Sequence, residues 1–247
     1  MIGLQKLPLF IVWRVVIGSL GHILPIGIAI LFLVFLFRVS KGLDQSKQEK
    51  LLHGLAVFIA LVVVAFHSYK ISLGNYNLKT DLPLYLCSFL GLTIPIFTFY
   101  KRKWMYEVLL FWIIGGTLQA IITPDIPIGF PSFAFFRYWI VHLGLVVLIL
   151  YATKVFEFKL SFKSIVKSIL ALQVYVLVMM GVNYVLEANY FYLNAKPEST
   201  SLLDYMGEWP LYIIVGELVL IPYFLLIYLP FYFTQKARLK HVASKES

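Results

Sequence analysis

The sequence is short of two things that water-soluble chains of its length carry, charge and cysteine. Only 13% of its 247 residues are Asp, Glu, Lys or Arg, against about 25% in soluble globular domains. With 61% hydrophobic residues, a fold in water would expose far more apolar surface than the polar residues could cover. That excludes an ordinary soluble domain and makes lipid the natural solvent. The single cysteine, Cys87, excludes an internal disulfide framework and any metal site built on several thiolates. A cleavable signal peptide is not expected either. Lys6 precedes an apolar run, but Arg14 interrupts it and no small-residue cleavage pattern follows.

Long apolar runs are what the chain has instead. A bilayer-crossing helix needs about 20 mostly apolar residues. Seven runs meet this, over 20–38, 51–69, 82–100, 104–122, 134–153, 165–186 and 209–233. The expected fold is therefore all-α: one polytopic transmembrane bundle of seven helices spanning 1–247. Leu7–Leu20 is too short and too polar at Arg14 to cross, so residues 1–19 read as an interfacial segment, and 236–247 as a basic cytoplasmic tail.

The net charge of +9 would suit nucleic acid, but its distribution argues against that partner. Of the 21 Lys and Arg, 15 fall in alternate connections and the tail: Arg38, Lys41, Lys47 and Lys50; Lys101, Arg102 and Lys103; Lys154, Lys159, Lys163 and Lys167; Lys236, Arg238, Lys240 and Lys245. The opposite set holds Lys6, Arg14, Lys70, Lys79, Arg137 and Lys196. Basic residues favour the cytoplasmic side, so the N-terminus is expected outside and the C-terminus in the cytoplasm of a cell-membrane protein. The charge runs are topology signals and contacts to lipid headgroups. Membrane lipids are the expected partners, no cofactor is called for, and the oligomeric state stays open.

Strongly polar groups within the hydrocarbon are costly and mark function. Away from the basic ends they are His22, His67, Cys87, Gln119, His142, Asn183 and Glu217, one on each expected helix. All fall in the outer half of the bilayer, with Cys87 about five residues inside its helix and His142 and Glu217 about eight. Such convergence suggests one cavity open to the outer leaflet. Each residue also has a structural reading: a lone membrane cysteine is a small hydrophobe, and helix His, Gln and Asn side chains join helices by hydrogen bonds. Glu217 resists that reading, because a carboxylate at depth needs a partner or a proton.

Taken together, the residues fit acyl transfer. His142 would take the Cys87 proton, the thiolate would attack an ester, and an acyl thioester would form. Gln119 or Asn183 could stabilise the oxyanion, and Glu217 could orient the imidazole. Three other readings stay open: zinc held by His22, His67, His142 and Glu217 in a hydrolase, a transporter, and a small-molecule receptor without catalysis.

Leu82-Pro83-Leu84-Tyr85-Leu86-Cys87, Gly116-Thr117-Leu118-Gln119-Ala120 with Thr123-Pro124-Asp125, and Asn183-Tyr184 with Asn189-Tyr190 resemble the YwaF-like family of bacterial integral membrane proteins. His142, Lys196-Pro197 and Trp209-Pro210 fit the same pattern over nearly the whole chain. The family usually carries His where this chain has Tyr85. It is similar, more distantly, to a eukaryotic transmembrane acyltransferase that remodels ether phospholipids through a cysteine-centred site. That resemblance implies Cys87 as nucleophile and His142 as base. Glu217 joins them as a catalytic candidate on depth and chemistry, and Gln119, Asn183, His22, His67 and Asn189 complete the expected site as substrate-binding residues.

Overall fold

The computed structural model describes residues 14–246 apart from 75, 127 and 198–200, with side chains described through 237. Residues 1–13 of the expected interfacial segment lie outside the described residues. Among the described residues seven long helices follow in chain order: α1 (Leu20–Ser40), α2 (Gln45–Ser72), α3 (Leu86–Tyr100), α4 (Lys103–Ile122), α5 (Phe133–Phe156), α6 (Phe162–Leu186) and α7 (Leu211–Glu246). Six are long and apolar enough to cross a bilayer, and α3, with 15 residues, is shorter.

Burial follows lipid rather than water. α1 leaves Leu20, Leu31 and Phe35 exposed, and α6 leaves Leu177 and Val185 exposed; these are the surfaces that acyl chains cover. The interior lies between α2, α3, α4, α5 and α6, around Leu52, Ile59, Leu90, Ile94, Leu110, Leu148 and Tyr151. Without a hydrophobic drive between helices in lipid, close approach at small residues supplies the packing. Gly91 of α3 and Gly144 of α5 provide it, because a Cβ on Gly91 would lie 3.0 Å from Val63 and one on Gly144 would lie 3.1 Å from Ile59. Both glycines receive α2.

The expected third span, 82–100, is corrected at its start. The helix begins at Leu86, and Leu82–Tyr85 form a turn with the Leu84 N–H on the Leu82 carbonyl. Pro83 disfavours helix at the residue before it and cannot donate to a helical ladder. Cys87 is therefore the second residue of α3, not five residues inside it. At about 1.5 Å per residue α3 spans roughly 22 Å, short of a hydrocarbon core of about 30 Å. Irregular backbone consequently enters membrane depth here, which is tolerated only inside protein or along a cavity.

Within α4, Ile113–Thr117 winds as π-helix. Such bulges recur at functional sites. Gly115 and Gly116 within it let Phe224 of α7 and Leu86 of α3 come close, at 3.0 and 3.1 Å from where a Cβ would stand.

The basic-rich end is closed by polar contacts. Glu107, buried in α4, accepts from Ser164 Oγ at 3.0 Å and pairs with Lys167 Nζ at 2.5 Å. Ser40 Oγ donates to the Leu36 carbonyl at 2.6 Å and accepts from Tyr151 Oη at 2.7 Å. Trp112 Nε1 donates to the Ser168 carbonyl at 3.1 Å.

The glycine contacts predict a mutational contrast. Gly91→Val pushes into Val63, Val141 and Ile59 and is expected to destabilise by about 1–3 kcal/mol through overpacking. Gly27→Ala, whose Cβ meets nothing within 4 Å, is expected to leave stability unchanged or slightly higher. Thermal unfolding of the two purified proteins in detergent measures the difference.

Candidate functional site

The site is built from two loops at the basic-poor end. In the loop after α6, Asn183 holds the backbone of Tyr190 from both sides: its Oδ1 accepts the Tyr190 N–H at 2.7 Å and its Nδ2 donates to the Tyr190 carbonyl at 2.9 Å. The clamp keeps the next two residues, Phe191 and Tyr192, at φ of 60° and 56°, a left-handed backbone that side chains disfavour. Tyr190 Oη then reaches across to the α2–α3 loop, donating to the Leu78 carbonyl at 2.7 Å and accepting the Leu82 N–H at 2.9 Å. Tyr175 Oη donates to the Leu84 carbonyl. Tyrosine hydroxyls thus satisfy the backbone groups that the early end of α3 leaves without helical partners.

Below these loops lies a cavity of about 580 Å³. Cys87 and Ser88 of α3, Gln119 of α4, Arg137 and His142 of α5 and Glu217 of α7 are in its wall. Cys87 stands where α3 begins, and the first in-helix bond runs from the Phe89 N–H to the Tyr85 carbonyl. The N–H groups of Leu86, Cys87 and Ser88 thus lack helical acceptors, and Tyr85 offers no side-chain cap. His142 is buried and its Nδ1 lies 2.7 Å from the Tyr138 carbonyl. A carbonyl only accepts, so Nδ1 carries the proton and Nε2 is left as the basic nitrogen. The Tyr138 ring stacks on the imidazole at 4.1 Å. Cys87 and His142 share the cavity but make no direct hydrogen bond.

Four of the eight expected residues, Cys87, Gln119, His142 and Glu217, meet in this wall. Glu217 does not orient His142, because its carboxylate accepts from Gln173 Nε2 at 2.6 Å while the Tyr138 carbonyl holds the imidazole. The other four serve the frame. Asn183 is spent on Tyr190. His22 lies 2.8 Å from the Ile121 carbonyl and takes the Gly18 N–H at 2.9 Å. His67 lies 3.2 Å from Tyr76 Oη. Asn189 folds its own loop, accepting from the Asn194 N–H at 2.9 Å and donating to the Ala195 carbonyl at 2.8 Å. With His22 and His67 so engaged, the four-ligand zinc set does not assemble, and no group of three metal-ligating side chains occurs among the described residues.

Sequence reasoning passed over Arg137, counting it only as a topology charge. Its Nη2 donates to Ser88 Oγ, its Cζ lies 5.0 Å from the centre of the Phe66 ring, and its buried Nε has no hydrogen-bond partner. The available signal was position: a charge inside an expected span, 134–153, that holds no acidic residue.

Fold and cavity together define a polytopic helical membrane protein with a polar pocket at one end of its bundle. The chain belongs to the TMEM164 family, a transmembrane protein family that it matches over residues 17–228. That stretch takes in every residue of the cavity wall. No curated protein and no solved structure matches the chain.

Two outcomes test the frame. Asn183→Leu keeps the branched shape of the side chain but leaves the Tyr190 N–H and carbonyl unpaired, an expected loss of about 2–4 kcal/mol, read by thermal unfolding. The second concerns pH and Asp81, in the α2–α3 loop. Burial pushes its carboxyl up, but Lys70 Nζ at 2.5 Å and the Asn77 N–H at 2.9 Å outweigh that and hold it below the usual carboxylate value. A folded-state pKa below the unfolded one adds stability that is present above about pH 4 and lost as pH falls through the folded value. The melting temperature should drop below pH 4 in the wild type, and Asp81→Asn should flatten part of that drop.

Proposed function

We propose that this protein transfers acyl chains between membrane lipids through a thioester on Cys87, with His142 as the proton-transfer group. One observation carries the reading: a cysteine at the start of a helix and an imidazole with its basic nitrogen free share one cavity inside a membrane protein. The basic residues crowd the opposite end, so the cavity opens toward the outer leaflet under the positive-inside rule, and acyl chains enter between helices.

His142 Nε2 takes the thiol proton, and the Cys87 sulfur attacks the carbonyl carbon of a lipid ester. The charge developing on the carbonyl oxygen is met by the open N–H groups at the start of α3, where the helix dipole is positive, with the Gln119 amide nearby. Collapse breaks the ester C–O bond. The lipid alkoxide leaves with the proton from His142, and the acyl group stays as a thioester. A lysolipid hydroxyl then gives its proton to His142 and attacks the thioester, the C–S bond breaks, and the proton returns to sulfur. Glu217 shapes the wall from its bond to Gln173 and moves no proton in this scheme.

The test is acyl exchange between isotope-labelled phospholipid and lysophospholipid by purified protein, followed by lipid mass spectrometry. Cys87→Ser is expected to abolish exchange and the acyl adduct on the intact protein. His142→Gln is expected to lower the rate by about 10²–10⁴-fold. Full exchange by Cys87→Ser would remove the covalent route.

A further inference from the structure

Arg137 is the cavity group for which acyl transfer gives no account. It sits near the start of α5, with Cys87, Ser88, Tyr138 and His142 around the same space. A guanidinium at this depth requires a counter-charge. Among the described residues no carboxylate lies within ion-pairing distance of it. The two carboxylates of the cavity wall are already engaged, Asp125 by Arg14 at 2.7 Å and Glu217 by Gln173 at 2.6 Å. Asp81, in the loop that leads to α3, is held by Lys70 at 2.5 Å. The Ser88 hydroxyl and the Phe66 ring hold the guanidinium in place, but both are neutral, so its charge is fixed in position and uncompensated.

A transient oxyanion does not answer this. The unpaired charge is permanent, and the developing charge of acyl transfer already faces the N–H groups of α3. What fits is a ligand with a permanent anion. Nε is enclosed, so the donors left are on the two terminal nitrogens, one of which Ser88 already accepts from. They form a planar donor pair suited to the paired oxygens of a phosphodiester or a carboxylate. Because the guanidinium is held before the ligand arrives, little ordering is needed on binding.

We infer that Arg137 is the anion-recognition residue of this cavity, pairing the phosphodiester of a phospholipid or the carboxylate of a fatty acid beside Cys87. The inference rests on the reading of the cavity as a lipid site but needs no acyl transfer. It accounts for specificity: a neutral lipid of equal chain length leaves the guanidinium uncompensated and its own polar groups unmatched.

The experiment uses the full chain carrying Cys87→Ser in dodecyl maltoside, so that binding is read without turnover. Ligand-dependent stabilisation is titrated with oleoyl lysophosphatidylcholine, oleate and the neutral ester monooleoylglycerol. At least one of the two lipids that carry an anionic group, the zwitterionic lysophosphatidylcholine through its phosphodiester or oleate through its carboxylate, is expected to bind about tenfold more tightly than the neutral ester, the worth of one modest charge-assisted contact. The tighter of the two identifies the phosphodiester or the carboxylate as the recognised group. Arg137→Gln should bring the three within about twofold, and Arg137→Lys should restore part of the preference. Equal binding of the two anion-bearing lipids and the neutral ester by the parent protein overturns the inference, and that comparison stands even where Arg137→Gln fails to fold. So does an undiminished preference in a folded Arg137→Gln. Loss of acyl exchange in the otherwise unmodified protein would sink the Cys87 chemistry and leave this titration untouched.

Discussion

The arrangement depends on how the backbone is satisfied where α3 stops short. A helix that starts at Leu86 leaves the preceding turn at a depth where water is scarce and every N–H and carbonyl needs a partner. Tyr190 supplies two of those partners with one hydroxyl, and Tyr175 supplies a third. Tyr190 can do so because Asn183 fixes its backbone through a reciprocal pair of bonds. Remove the clamp, and the turn would have to extend into helix or leave polar groups bare. The first outcome would move Cys87 from a helix start facing a cavity to a helix interior, and the second would strand buried backbone groups.

The same economy explains the tyrosines elsewhere on the rim. Tyr138 Oη donates to the Ala120 carbonyl at 2.8 Å and takes the Asp125 N–H at 3.3 Å, tying the end of α4 to α5. Tyr212 Oη donates to the Tyr192 carbonyl at 2.6 Å, and Trp209 Nε1 donates to the Leu193 carbonyl at 3.0 Å, fixing the start of α7 to the strained loop. Each ring presents an apolar body to its surroundings and a polar tip to a loop carbonyl, the division of labour that suits aromatic residues at a membrane boundary. A cavity bounded this way keeps its walls while α7 remains largely exposed to lipid.

Seven helices were legible from run length and charge placement because both follow directly from bilayer thickness and the cost of charge within it. The beginning of α3 was not, since Leu82, Leu84 and Leu86 are as apolar as any helical stretch and only Pro83 speaks against helix. The cavity members Cys87, Gln119, His142 and Glu217 were found by depth. Depth gives the layer of a residue and not its direction around the helix, so it drew in His22, His67 and Asn183 as well, which point at loops and carbonyls. The partner of Glu217 was hidden for the same reason: Gln173 lies 44 residues away in sequence, and no spacing rule brings α6 to α7. Arg137 was hidden by its sign, because a basic residue near a helix end reads as a topology signal until its surroundings are known.

The asymmetry between the two ends bears on the rival reading as a transporter. Alternating access requires that a central site open in turn to each side. Here the polar groups gather at the basic-poor end, while the opposite end is tied by Glu107 to Ser164 and Lys167 and by Ser40 to Tyr151, contacts between buried or half-buried groups whose loss would strand a carboxylate or a hydroxyl. The groove present at that end, lined by Phe37, Lys154, Pro230 and Gln235 among others, shares no lining residue with the Cys87 cavity. Polar groups gathered at one end of the bundle, with the other end tied, suit the proposed chemistry on a lipid that approaches and leaves in the plane of the membrane, where nothing has to cross.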